Sequence, residues 1–297
     1  LRGRPRTPYC ETPRSPTEWA PAGNRVRAMT QRKPWVLFTM MAFGYAFLYV
    51  PILSVIVYSF NKSRLATVWG GFSTHWYGAL LQNRQILEAA ERSLVIASIA
   101  ATFAVVLGTM TGLALARFGR FNGRGLLSLL SSAPLVMPEV IQGLAALLLF
   151  VSMEQLVGWP SGRGMTTVAI AHITLCVCYV TVVVRSRLVQ MDQSLEEAAM
   201  DLGARPWKVF FVITLPLIAP ALVAGWLLAF TLSLDDLVIA SFTSGPGAST
   251  LPMVIYSKVK LGVTPEINAL ATLVILLVTI GVVTAGWLMN RQAKAAA

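Results

Sequence analysis

Apolar residues along this 297-residue chain fall into long unbroken runs rather than the one-faced stripe of a soluble amphipathic helix. A hydrocarbon core of about 30 Å takes roughly 20 consecutive apolar residues in a helix. Six runs qualify: residues 35–60, 93–116, 126–153, 165–184, 217–242 and 268–289. None shows the period-two alternation of a membrane β-strand. A helix pairs every backbone N–H and C=O inside its own segment, as lipid requires. The expected architecture is therefore all-α, a polytopic membrane protein of six transmembrane helices.

Composition agrees: 56% of residues are hydrophobic and 12% charged, whereas a soluble domain carries about 25% charged residues. That excludes a cytosolic enzyme, and three cysteines exclude a disulfide scaffold. The net charge of +11 is unevenly placed. Residues 1–28 hold six Arg, two Glu and five Pro without an apolar run, the composition of a disordered N-terminal extension. Met29 reads as a natural start, with residues 29–297 as the transmembrane domain. Without that extension the charge falls to +7, and nucleic acid is not expected as a partner. The compact loop holding Arg117, Arg120 and Arg124, with no acid, votes for the cytoplasmic side. Both termini are then expected in the cytoplasm.

The most informative polar segment, residues 192–216, joins the fourth and fifth spans. Ser194 with Glu197 three residues later matches a capping box, and Gly203 suits a left-handed helix end. Leu195, Ala199 and Leu202 share one helical face, and Pro206 suits the first turn of a second short helix. Two surface helices are predicted, offering small residues and the carboxylates Glu196, Glu197 and Asp201 to basic groups of a partner. The alternative is an amphipathic loop resting on lipid headgroups.

The spacing Glu197-Ala198-Ala199, Gly203, Ile213, Leu215, Pro216 resembles the signature of permease subunits of ATP-binding-cassette importers. Further pieces extend the resemblance from about residue 29 to 289. They include Tyr49-Val-Pro51, Tyr58-Ser-Phe-Asn61, Trp76-Tyr77, Ser233-Leu-Asp-Asp236, Ser244-Gly-Pro-Gly247 and the run from Pro265 to Thr272. Together they look like the spermidine/putrescine importers, specifically the second of their two permeases and closest to the putrescine member. The resemblance implies a type I importer permease fold in the bacterial inner membrane, and a coupling loop (Glu196, Glu197, Ala198, Ala199, Asp201, Gly203, Pro206) docked on an ATPase. It also implies as partners a homologous permease, two ATPase subunits carrying ATP and Mg, and a periplasmic polyamine-binding protein. The sequence has no G-x-x-x-x-G-K-[ST] phosphate loop, so no catalytic residue or cofactor is assigned to this chain. The alternatives are a spermidine-specific permease and, in another class, a self-sufficient secondary transporter of an organic cation.

Ionisable groups within spans default to function, and three acids qualify: Glu139, Asp235 and Asp236. An ammonium pathway needs carboxylate acceptors and apolar or aromatic walls, so Trp226, Phe230 and Tyr179 join the candidates. Asp235 and Asp236 project about 100° apart on a helix. Both line one cavity only if it is wide or the helix unwinds; otherwise one holds a neighbouring helix. Glu139, between Pro138 and Gly143, suggests a helix break beside a cavity. His172 reads as a hydrogen-bonded helix residue, and no metal site is expected because no second ligand sits at metal spacing. Gly108 and Gly112 form a G-x-x-x-G step for close helix approach. Residues 251–261 suit a short interfacial helix between Pro252 and Gly262, with Thr264-Pro265-Glu266 starting the last span.

Overall fold

The computed structural model describes residues 34–65, 68–262 and 264–295; the expected disordered extension, residues 1–28, lies outside them. Twelve α-helices follow one another among the described residues, with one isolated bridge between Asn61 and Phe72 and no named strand. Six helices are long and apolar enough to cross a membrane. The chain divides into two units, residues 1–54 and 55–297.

Helix α1, Pro34–Tyr58, supplies the described part of the first unit and its last turn belongs to the second. It carries no charged side chain, and Thr39 and Ser54 satisfy their hydroxyls on Trp35 and Pro51 carbonyls at 2.9 and 2.7 Å. That is how a polar side chain is tolerated on a helix in lipid.

The second unit opens with a loop organised by Asn61, whose buried side chain accepts from Ser63 and Gly70 N–H and donates to Leu65 and Val68 carbonyls. One amide thus replaces the pairing that this irregular backbone lacks. Helix α2, His75–Gln82, leads into α3, Arg84–Arg117, the second span. The third apolar run, expected as one helix over 126–153, is two: α4, Arg124–Val136, and α5, Glu139–Val157. Pro138 is the cause, since it has no N–H and forces Met137 into an extended conformation (ψ 138). Only α5 meets the crossing length.

Helix α6, Met165–Gln190, is the fourth span, and the loop helix α7, Ser194–Asp201, follows. Then α8, Pro206–Val209, runs through a π-helical turn, Phe210–Thr214, into α9, Leu215–Asp235. Pro216 cannot donate an N–H, and the wide turn before it relieves crowding on the preceding carbonyls. The fifth crossing segment is therefore Pro206–Asp235 rather than 217–242. The backbone turns extended at Asp236 (ψ 122) before the short α10, Val238–Thr243. The chain ends with α11, Leu251–Leu261, as expected from Pro252 and Gly262, and α12, Pro265–Ala295.

The core lies where α3, α6 and α9 meet, built from Ala101, Ala104, Cys176, Val180, Val184, Leu188, Ile218 and Ala229. Small residues let the backbones close in, the usual source of packing energy between helices in lipid. A Cβ on Gly108 would come within 2.8 Å of Val180 Cγ1 and 3.1 Å of Thr181 N, so the predicted glycine step is a real point of contact. A second cluster, including Leu80, Ile86, Leu251 and Leu270, joins α2, α3, α11 and α12. Asn83 caps α3 through Ile86 N–H (3.4 Å) and donates to Glu266 Oε1 (2.7 Å), while Lys258 Nζ sits 3.5 Å from Glu266 Oε2.

Candidate functional site

Two polar constellations stand out against this apolar frame: the loop after the fourth span and the break in the fifth.

In the loop, α7 begins at Ser194, but not through the predicted capping box. Asp192 accepts the Ser194 N–H at 3.0 Å, and Ser194 is itself the first helical residue. That hydrogen bond, then one with the Ser194 hydroxyl, holds the Asp192 carboxyl below its ordinary 3.8. The helix ends as the sequence requires. Gly203 has φ +85, Ala204 N–H reaches back to Ala199 O (3.1 Å) and Gly203 N–H to Met200 O (2.9 Å), which satisfies the last carbonyls. Pro206 opens α8.

The carboxylates divide. Glu197 and Asp201 are exposed, as are Ala198, Gly203 and Pro206, with Ala199 half-buried. Glu196 is used inside the chain. Its Oε2 lies 2.8 Å from Arg117 Nε at the end of α3, and its Oε1 accepts from the Thr214 hydroxyl at 2.8 Å. Arg117 Nε makes no hydrogen bond of good geometry, but Arg117 Nη2 donates to Glu196 Oε1 at 3.5 Å, so the ion pair carries one long directional bond. Glu196 is thus withdrawn from the partner-facing set, because α7 folds back over the end of the second span. The expected apolar face of α7 does not pack on the chain either: Leu202 is 90% exposed and Leu195 50%. Trp207, 63% exposed, is also free of the chain's core.

At the second constellation, unwinding separates the paired acids. Asp236, buried, accepts Ile239 N–H (3.3 Å) on Oδ1 and Ala240 N–H (2.8 Å) on Oδ2, capping α10. His172 of α6 approaches from the side, with Nε2 3.0 Å from Asp236 Oδ2 and Nδ1 2.7 Å from Ser233 Oγ. Nε2 stands at that distance without a hydrogen bond of good geometry. Asp235 is exposed and lines a cavity of ≈ 630 Å³ between the end of α9, α11 and α12. The wall is apolar, with Leu234, Ile255 and Val274, and its aromatic member is Tyr256, whose ring already faces Lys260 Nζ at 4.7 Å.

Glu139 stands at the predicted break as the first residue of α5 and is exposed, but it is not among the residues lining that cavity. Nor are the three aromatic candidates. Trp226 and Phe230 stack at 5.2 Å against the α3–α6–α9 core, with Trp226 Nε1 donating to Thr102 Oγ1. Tyr179 packs on the cluster of Phe150, Leu175 and Ile239. Their helical spacing is that of packing residues. Tyr256, Ser233 and Arg117 were missed as site residues; only Pro252 and Gly262, which mark out α11, pointed toward Tyr256. Among the described residues no group of three or more His, Cys, Asp or Glu is placed to hold a metal ion.

A bundle of apolar helices with an Ala- and Gly-bearing loop helix at its surface is the build of a transporter's membrane subunit. Residues 104–296 match the family described as "Binding-protein-dependent transport system inner membrane component". The chain belongs to that family and is a multi-pass inner-membrane permease. It is 57% identical over 263 residues to the putrescine transport system permease protein PotI of Escherichia coli (strain K12), covering 89% of this chain and 93% of that one. It is 42% identical over 250 residues to the spermidine/putrescine transport system permease protein PotC of the same strain, covering 84% and 92%. Among solved structures, a chain of a bacterial ABC transporter involved in import of the acidic polysaccharide alginate superposes with a TM-score of 0.69 at 17% identity, covering 90% of this chain and 99% of that one. A chain of the MetNI methionine ABC transporter in an inward-facing conformation gives 0.56 at 16%, covering 71% and 96%. These two likenesses concern the fold.

Proposed function

We propose that this chain is a permease subunit of an ATP-driven polyamine importer, that its substrate is putrescine, and that it works with a homologous second permease, a pair of ATPase subunits and a periplasmic binding protein. The 57% identity with a putrescine permease supports the substrate class. The observation that carries the reading is Asp235, an exposed carboxylate at the end of a broken span, in an apolar cavity.

An ammonium group at Asp235 forms a charge-assisted hydrogen bond, stronger where water is excluded. The methylene chain lies against Leu234, Ile255 and Val274, and the Tyr256 ring face offers a cation a second contact. Asp236, with its charge already shared by two amides and His172, takes no part in binding.

Coupling runs through residues 192–216. The ATPase receives the exposed Glu197 and Asp201, with Leu195, Leu202 and Trp207 exposed on the same segment. Hydrolysis of ATP, with its Mg, takes place on that separate subunit. Both termini and this loop lie in the cytoplasm, as the arginines near residues 117–124 favour.

The test is uptake of labelled putrescine by the reconstituted complex, with spermidine as competitor. Uptake that requires ATP and the ATPase, resists excess spermidine and drops about tenfold or more in Asp235→Asn supports the reading. Preferential displacement by spermidine reassigns the substrate, an outcome that the 42% relative makes specific. Uptake by this chain alone on an ion gradient makes it a secondary transporter. Unchanged kinetics in Asp235→Asn removes that residue from the pathway.

A further inference from the structure

Helix α9 stops at Asp235 and α10 starts at Val238, and one side chain from another span touches both sides of that gap. His172 holds Ser233, in the last turn of α9, through Nδ1 (2.7 Å) and Asp236, the cap of α10, through Nε2 (3.0 Å). All three residues are buried, His172 to 1% exposure. On α6 as well, Thr167 donates its hydroxyl to the Thr243 carbonyl at the far end of α10 (2.7 Å). The fourth span therefore grips the short helix at both ends.

The contact with α5 is equally close. A Cβ on Gly143 of α5 would fall 2.6 Å from the Phe242 ring and 3.4 Å from Ile239 Cα, so α10 has no room to slide toward α5. Helix α10 is six residues long, too short to hold itself together without tertiary contacts. Its position rests on these polar bonds together with Ile239 and Ala240, which are buried among residues that include Phe150, Leu175, Ile96 and Val168. Asp235 keeps the direction that α9 gives it, but without the anchor at Asp236 the backbone just after it is released, and with it Leu237, which lines the cavity beside Asp235.

We infer that His172 is a positioning residue for transport. By holding Asp236 it fixes the break in the fifth span, and the break sets where Leu237, the cavity wall next to Asp235, stands. This rests on the reading of Asp235 as the ammonium acceptor. His172 itself does not line the cavity, and its contribution passes through Asp236 to the adjoining Leu237.

The experiment exploits the two ring nitrogens. An Asn side chain places its amide where Nδ1 stands, and a Gln side chain places its amide near Nε2. His172→Gln therefore keeps the Asp236 contact and loses Ser233; His172→Asn does the reverse. Both are made in the full complex, alone and combined with Asp235→Asn, and co-purification with the ATPase checks that the chain folds. Putrescine uptake kinetics and hydrogen exchange of the segment containing Ile239 and Ala240 are measured. Expected in His172→Asn are faster exchange at those amides and a rise of about tenfold in KM, both largely restored in His172→Gln. In the Asp235→Asn background His172→Asn adds no further loss. Unchanged exchange in His172→Asn, or losses that add in the double variant, overturn the inference and leave the Asp235 reading intact. Unchanged uptake in Asp235→Asn overturns that reading and this inference with it, while the exchange data still report on the clamp.

Discussion

Arg117 and Glu196, at the end of the second span and on the loop helix, meet at 2.8 Å with only 10% and 14% of their side chains exposed. The Thr214 hydroxyl completes the Glu196 carboxylate at 2.8 Å. The loop helix is thereby tied both to α3 and to the π turn that leads into α9. Removing one member leaves the other charge half-buried and unpaired. Arg117→Ala or Glu196→Ala is expected to lower stability by roughly 3 kcal/mol, whereas replacing both by Met should cost less than either alone. Thermal unfolding of the detergent-purified complex, run as a double-mutant cycle, checks it; equal losses that add would show the pair to be uncoupled.

Gly203 sits at φ +85 and closes α7. A side chain there is strained by about 1–2 kcal/mol, and a β-branched one by more. Gly203→Val should loosen the end of the loop helix and cut ATP hydrolysis stimulated by the loaded binding protein, with basal hydrolysis kept. Gly203→Asn, which tolerates the left-handed region, should retain most of the stimulation.

The two glycines of the α3 step differ in what they face. A Cβ at Gly108 meets Val180 Cγ1 at 2.8 Å, while at Gly112 the nearest atoms are at 3.4 Å. Gly108→Ala is expected to destabilise by about 1–3 kcal/mol through overpacking, and Gly112→Ala to destabilise less or to stabilise, because its Cβ meets the neighbours at 3.4 Å and Ala favours the helix by up to about 1 kcal/mol. Val180→Ala should recover part of the Gly108→Ala loss by clearing the obstructing methyl. Unfolding midpoints of the three variants and the combination decide it.

The Asp192 carboxyl is held below its ordinary 3.8, first by the Ser194 N–H and then by the Ser194 hydroxyl. A depressed carboxyl gives its stabilisation fully above the unfolded value and loses it as pH falls through the lower folded value. The start of α7 should therefore be insensitive to pH in the neutral range and fray only in acid below 3.8. Asp192→Ala should show the frayed state at neutral pH. Protease cleavage near Ser194, or amide exchange of Glu196 and Glu197, reports it.

Much of this architecture is legible without coordinates. The six spans, the left-handed Gly203, the helix from Leu251 to Leu261 and the glycine step toward another helix are all written in residues within a few positions of one another. Several span boundaries were not: the second span starts at Arg84 rather than 93, and the fifth at Pro206 rather than 217. Pro138 splits the third run and Asp236 ends the fifth, although hydropathy continues through both. An apolar window measures the solvent a segment prefers, not whether its backbone remains helical.

The site shows the same division. That acids lie in the loop and in the fifth span is a sequence fact, but their roles are set by partners far away along the chain. Arg117 reaches Glu196 across 79 positions and His172 reaches Ser233 across 61. Glu196 and Glu197 are neighbours of identical chemistry, as are Asp235 and Asp236. In each pair one carboxylate is spent inside the fold and the other is left free. Periodicity, caps and glycines encode local conformation because their energies act within a helical turn. Which charge is satisfied depends on which helix packs beside it, and only the folded bundle decides that.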